Sequence, residues 1–248
     1  MSEGVVVVTG ASRGIGRACA LMAAARGHAV VVNYTANQAA ADAVVAAIEA
    51  GGGKAVAVKG DVALEPDVLA IFAAADRLGR LAGLINNAGV VDLKSRVDQF
   101  SFERLTRMMA INVVGSILCA REAVRRMSTA HGGQGGTIVN MSSVAAVLGS
   151  PNEFADYAAS KGAIDSFTVG LAKEVATEGI RVNAVRPGMI DTEIHASAGV
   201  PDRVARFQDV IPMKRGGTAD EVAQAVLWLM SEDASYITGT IITVSGGR

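Results

Sequence analysis

The stretch Val5-Val6-Val7-Val8-Thr9-Gly10-Ala11-Ser12-Arg13-Gly14-Ile15-Gly16 decides how the rest of the chain is read. Its opening run is short, apolar and β-branched, the pattern of a strand covered on both faces. Three glycines follow at the point where a helical pattern begins. A strand-to-helix turn needs glycine for a tight bend, for close approach of backbone to a pyrophosphate, and for close helix–strand packing. The free N–H groups at the new helix N-terminus then point at the phosphates. The spacing is G-x-x-x-G-x-G and not the G-x-G-x-x-G of the general dinucleotide fingerprint. Gly10, Ser12, Arg13, Gly14, Ile15 and Gly16 are therefore expected to hold the phosphates of a dinucleotide.

Working outward, similar apolar runs recur at 29–33, 55–59, 84–86, 137–141, 181–185 and 240–244. Most are nearly continuous in apolar residues, as in a parallel sheet covered on both faces. Segments with helical periodicity separate them. Phe102, Leu105, Met109, Val113 and Ile117 form one stripe, on a helix expected to run from Phe102 to Arg125; Val222, Val226, Leu229 and Met230 form another. Pro66 suits a first helical position, and Thr218-Ala219-Asp220-Glu221 reads as a capping box. Alternating strand and helix implies an α/β fold: a single doubly wound Rossmann-type domain with a seven-stranded parallel sheet and helices on both faces, spanning residues 1–248. The composition agrees, because 50% of the 248 residues are hydrophobic but only 4% are aromatic, so the core must be built from Val, Ala, Ile and Leu.

Net charge is −1 with no block of like charges, which argues against nucleic acid or an anionic membrane surface as partner. No apolar run approaches the roughly 20 residues of a membrane span, and residues 1–4 lead directly into a strand without a basic leader, so the protein is expected in the cytoplasm. Cys19 and Cys119 fall in helical patterns and read as reduced core thiols. His28, His131 and His195 are isolated, and no metal site is expected.

The second strand ends in Val32-Asn33-Tyr34-Thr35, where an acidic side chain would hold the 2′-hydroxyl of NAD. No Asp or Glu stands there. The region of Asn33 and Tyr34 therefore favours NADP(H), with Arg13 facing the 2′-phosphate, while NAD(H) stays possible. Farther on, Tyr157 and Lys161 share one helix face at a spacing of four. A phenol titrates near 10, too high for a base at neutral pH, and a neighbouring ammonium lowers it, giving a tuned acid/base couple. Asn140-Met141-Ser142-Ser143 ends the fifth strand fourteen residues before that tyrosine. There a serine hydroxyl can hold a substrate oxygen; Ser143 is preferred, with Ser142 the alternative.

With these motifs in order, the chain resembles the short-chain dehydrogenase/reductases over essentially its whole length, in particular bacterial members of the 3-oxoacyl-carrier-protein reductase and glucose dehydrogenase kind. TGxxxGxG is matched by Thr9–Gly16, NNAG by Asn86–Gly89, YxxxK by Tyr157–Lys161 and the PG turn by Pro187-Gly188, and Ser245-Gly246-Gly247 closes the chain. The resemblance implies that Tyr157 exchanges the alcohol proton, that Lys161 tunes it and holds the nicotinamide ribose, and that Ser143 orients the substrate oxygen. It implies that Asn112 helps organise a proton relay. Asp61 and Val62 would meet adenine, Asn87, Ala88 and Gly89 the adenosine ribose, and Pro187, Gly188, Ile190 and Thr192 the carboxamide. The serine–tyrosine separation is one residue longer than in many members, which implies an insertion in the Val144–Asp156 loop.

The expected activity is hydride transfer between the cofactor and a small-molecule carbonyl or alcohol. Residues 191–211, including Glu193, His195, Ser197 and Gly199, match the family's variable substrate lid, and Phe154 and Phe207 are the expected pocket walls. The family also implies a homotetramer. Alternatives are a non-catalytic NADP-binding regulatory protein, an NAD-dependent sugar or alcohol dehydrogenase, and a lyase or epimerase using the cofactor transiently.

Overall fold

All of the opening valines are fully buried, as a strand with helices on both faces requires. The computed structural model describes residues 4–193, 199–200 and 202–248, so His195 and Ser197 of the expected lid lie outside the described residues. Strands β1 (Val5–Val8), β2 (Ala29–Tyr34), β3 (Ala55–Lys59), β4 (Leu81–Asn86), β5 (Gly136–Met141), β6 (Ile180–Pro187) and β7 (Ile241–Val244) form one parallel sheet. Their order is β3-β2-β1-β4-β5-β6-β7. The chain steps outward from β1 to β3, then returns to lay β4 on the other side of β1. At such a reversal the connections leave in opposite directions, and a crevice opens beyond the carboxyl ends of the two strands.

The helices are α1 (Gly14–Ala25), α2 (Gln38–Ala50), α3 (Glu65–Leu78), α4 (Phe102–Met109), α5 (Ser116–Met127), the short α6 (Ala145–Leu148), α7 (Ala155–Val175), the short α8 (Arg203–Phe207) and α9 (Ala219–Met230). Alternate strand residues serve two layers. Val6 and Val8 pack with α1, α2 and α9, while Val5 and Val7 pack with α3, α5 and α7. Cys19 sits in the first layer and Cys119 in the second, both free, each with its thiol pushed up to about 12 by burial. Neither forms a thiolate at physiological pH, so both act as small apolar fillers. Thr218 and Glu221 make the reciprocal capping box that starts α9. Pro66 is the second helical residue of α3, one place later than expected, because Glu65 takes the first.

The expected helix from Phe102 to Arg125 needs correcting. A π-helical segment, Ala110–Gly115, separates α4 from α5. The wider turn breaks the 3.6-residue period, so the stripe projected from Phe102 to Ile117 does not become a core face. Phe102 is 84% exposed and Ile117 38%, with Leu105, Met109 and Val113 half-buried. Met108, Asn112, Cys119, Ala120, Ala123 and Met127 turn inward instead. No helix among the described residues is long and apolar enough to cross a membrane, and among those residues no group of His, Cys, Asp and Glu could hold a metal ion.

Candidate active site

The glycine turn lies at the β1/β4 reversal. Gly10 and Gly14 have positive φ, +62° and +53°, which L side chains rarely adopt. Gly16 is needed for space: a Cβ there would lie 2.3 Å from the Gly10 carbonyl oxygen. Thr9 Oγ1 accepts from the backbone N–H groups of Asn87 (3.0 Å) and Ala88 (2.9 Å), tying the end of β1 to the end of β4. Asn87 Nδ2 donates back to the carbonyls of Thr9 (2.9 Å) and Gly10 (3.0 Å).

Asn33 differs from expectation. Its Oδ1 accepts from the Gly10 N–H (3.1 Å), and its Nδ2 donates to the Gly60 carbonyl (2.9 Å). The side chain is buried and braces the turn from beneath, because a buried amide must satisfy its donors and acceptor within the protein. Of the pair at the end of β2, Tyr34 reaches the cleft and Asn33 does not.

The cleft above the turn holds about 870 Å³. Its lining includes the expected Gly10, Ser12, Arg13, Gly14, Ile15 and Gly16, then Asp61, Val62, Asn87, Ala88, Gly89 and Thr192. Arg17, Asn37, Arg107 and Ile111 line it too, and the sequence reading missed them. Arg17 carried a signal, since it stands one turn beyond Arg13. Arg107 arrives from α4 and had none. The stretch from Tyr34 to Asn37 brings no carboxylate to the cleft; its acids are Asp61 and Glu193. A volume of this size, glycines that admit the backbone, and a helix N-terminus fit a dinucleotide.

A second, smaller cleft of about 170 Å³ adjoins the first, with Ile15, Asn87, Gly89 and Thr192 belonging to both. Ser143, Tyr157, Lys161, Pro187, Gly188 and Ile190 line it. The two serines are distinguished by what they touch. Ser142 is buried, and its hydroxyl donates to the Lys161 carbonyl (3.3 Å) in α7. Ser143 lines the small cleft with Tyr157, its Oγ accepting from the Ala145 N–H (3.1 Å). Burial raises the Tyr157 pKa above the usual phenol value, and the nearby Ser143 hydroxyl opposes the rise. The expected lowering by lysine is not seen in the protein alone: the ammonium lies 5.6 Å from the Tyr157 ring centre and donates to the Met141 carbonyl (2.8 Å). Burial also pushes Lys161 down to about 8, with Asp165 opposing.

Asn112 occupies the π-helical segment and is fully buried behind Gly89. Its Oδ1 accepts from the Val90 N–H (2.8 Å), and its Nδ2 donates to the Val90 carbonyl (2.9 Å) and Ser160 Oγ (3.1 Å). It thus joins the loop after β4 to the helix of Tyr157. A second brace is the ion pair of Arg104 in α4 with Asp156, Nε to Oδ2 2.6 Å, with side chains 10% and 0% exposed. Asp156 Oδ1 also accepts from the Tyr157 N–H (2.9 Å), so the pair fixes the start of α7 where the tyrosine projects. Of the expected pocket walls, Phe154 lines the small cleft, whereas Phe207 does not and packs against Arg203 instead.

This arrangement has relatives. A family profile described as Enoyl-(Acyl carrier protein) reductase matches residues 10–248. The chain is 54% identical to the uncharacterized oxidoreductase YgfF of Escherichia coli, over 98% of this chain and 99% of that protein. It is 39% identical to a 3-oxoacyl-[acyl-carrier-protein] reductase of Synechocystis, over 98% and 96%. Among solved structures it matches a doubly substituted mutant of a Serratia marcescens short-chain dehydrogenase/reductase, with TM-score 0.91 and 33% identity, over 99% of this chain and 98% of that one.

Proposed function

The chain belongs to the short-chain dehydrogenase/reductase family, enzymes acting on CH–OH or C=O groups with a nicotinamide cofactor, and from that premise we propose an NADP(H)-dependent reductase or dehydrogenase of a small carbonyl or alcohol, working through Ser143, Tyr157 and Lys161. The observation that carries the reading is that Ser143, Tyr157 and Lys161 line one small cleft that adjoins the nucleotide cleft and shares four residues with it.

When bound, the cofactor supplies or accepts the hydride. The protein's own side chains handle the oxygen and its proton. In reduction Tyr157 gives its phenolic proton to the carbonyl oxygen, and in oxidation it takes the proton back. Ser143 donates a hydrogen bond to the same oxygen as negative charge develops there. Lys161, held against the end of β5 by the Met141 carbonyl, favours the ionised phenol when it carries its own proton. Asn112 positions the loop after β4 and serves the proton relay that the family implies. Gly10, Ser12, Arg13, Gly14, Ile15 and Gly16 hold the phosphates. Tyr34, Asp61, Val62, Asn87, Ala88 and Gly89 enclose the adenosine half, and Tyr157, Lys161, Pro187, Gly188, Ile190 and Thr192 the nicotinamide half. NADP(H) is favoured over NAD(H) because Arg13 and Arg17 line the cleft while the end of β2 offers no carboxylate for a ribose hydroxyl.

Residues 1–248 are read as one dinucleotide-binding oxidoreductase domain with its substrate lid at 191–211, working in the cytoplasm as a homotetramer. The test is turnover of a carbonyl and alcohol panel with NADPH and NADH, followed at 340 nm. Wild-type protein is expected to work faster with NADPH. Tyr157→Phe should lose turnover by about 10²-fold or more while still binding NADPH by fluorescence. Near-normal turnover in that variant would refute the assigned mechanism.

A further inference from the structure

Resting on this carbonyl and alcohol reading, we infer that the substrate carries a carboxylate, received at the small cleft by Arg203 and Arg248. The cleft wall is largely apolar, with Val91, Val144, Leu148, Phe154 and Met189 contributing. Its described lining contains no Asp or Glu. Besides Lys161 beside the nucleotide cleft, it contains two guanidinium groups, those of Arg203 and Arg248.

These two arginines are held on aromatic faces. The Arg203 guanidinium lies 5.0 Å from the Phe154 ring centre and 5.1 Å from that of Phe207, and Arg248 lies 5.5 Å from the Phe207 ring. Two like charges therefore share one ring, an arrangement that repels unless an anion stands near. Glu153 meets the need only in part. It takes Arg203 (2.6 Å) and is shared with Lys94 (3.3 Å). Among the described residues Arg248 makes no ion pair; its guanidinium has the Phe207 ring, while its carbonyl oxygen accepts from Ser245 Oγ (2.8 Å) and anchors the backbone. The group thus sets Lys94, Arg203 and Arg248 against a single side-chain carboxylate.

An excess of positive charge beside an apolar wall is costly for a neutral ligand and favourable for an anionic one. The planar guanidinium fork matches a carboxylate bidentately, and stacking on a ring holds the fork in place before the ligand arrives. The small volume selects a compact keto or hydroxy acid: its apolar body in the cleft, its oxygen at Ser143 and Tyr157, its carboxylate at the arginines.

The test uses matched pairs of ketones that differ only in charge: 4-oxopentanoate, 5-oxohexanoate and 4-oxocyclohexanecarboxylate, each against its methyl ester. With the wild-type enzyme, kcat/KM for at least one acid should exceed that of its ester by about tenfold, mainly through KM. Arg248→Gln and Arg203→Gln should each cut this acid-to-ester ratio about fivefold or more, and Arg248→Lys should retain part of it. Esters equal to or better than acids in every pair would overturn the inference, as would a ratio unmoved in both glutamine variants. Turnover of the esters alone would leave the carbonyl reading standing and remove only the carboxylate. Turnover of no pair with either cofactor would instead bring down the carbonyl reading itself.

Discussion

Lys161 shows how one side chain couples the proposed chemistry to stability. Its folded pKa of about 8 lies below the ordinary lysine value of 10.5, so burial disfavours the cation. Below pH 8 the folded and unfolded chains both hold the proton, and the penalty is fully present. Between 8 and 10.5 the unfolded chain holds more protons than the folded one, so this group's contribution to stability rises with pH across that window. At pH 7 the penalty is about 3 kcal/mol. Lys161→Met removes it but also loses the bond to the Met141 carbonyl, worth about 1 kcal/mol. Urea unfolding of the cofactor-free protein at pH 7 should therefore find the variant more stable by about 2 kcal/mol, a gain that shrinks as pH rises through the same window. A gain independent of pH would mean the lysine is not held near 8. Tyr157 is shifted the opposite way, upward, and so stays a phenol through neutral pH, the form needed to donate in the reductive direction.

Tyr157, Lys161 and Ser143 could be singled out in sequence because their spacing follows from one helix and one strand end, and the fold brings them to one small cleft. The bracing around them was not legible there. The bond from Arg104 to Asp156 spans 52 positions and exists only because α4 crosses the start of α7. Removing Arg104 leaves a fully buried carboxylate without its cation, so Arg104→Ala should cost about 3 kcal/mol in urea unfolding. Adding Asp156→Ala to it should restore part of that loss; a double variant no better than the single would place the cost elsewhere. The π-helical segment at Ala110–Gly115 was likewise hidden. A periodicity argument assumes one period throughout, and the extra residue in that turn reassigns every later position. Asn112 was singled out by resemblance to the family, and the π turn is what points its side chain inward.

Across the molecule, the face left outside by that reassignment offers a surface for assembly. Phe102 is almost fully exposed and Val114 and Ile117 are substantially so, all on the α4–α5 stretch. If the proposed homotetramer uses it, sedimentation should give a mass four times the 25.3 kDa protomer, and Phe102→Asp should shift the protein to smaller species without lowering protomer stability. A wild-type protein that sediments as a single protomer would refute the assembly.

Local pattern alone determined the class of fold, the glycine turn after the first strand and the placing of a tyrosine and a lysine on one helix face. Each depends on residues within a few positions of one another, where the strand period, the helix period and glycine's freedom act directly. Tertiary structure decided which asparagine faces the cleft and which braces it, which serine bonds the Lys161 carbonyl, and how Arg203 and Arg248 come to share one phenylalanine. Those outcomes depend on distances between elements far apart in the chain, set by how the layers pack on the sheet, and no spacing along the sequence encodes them.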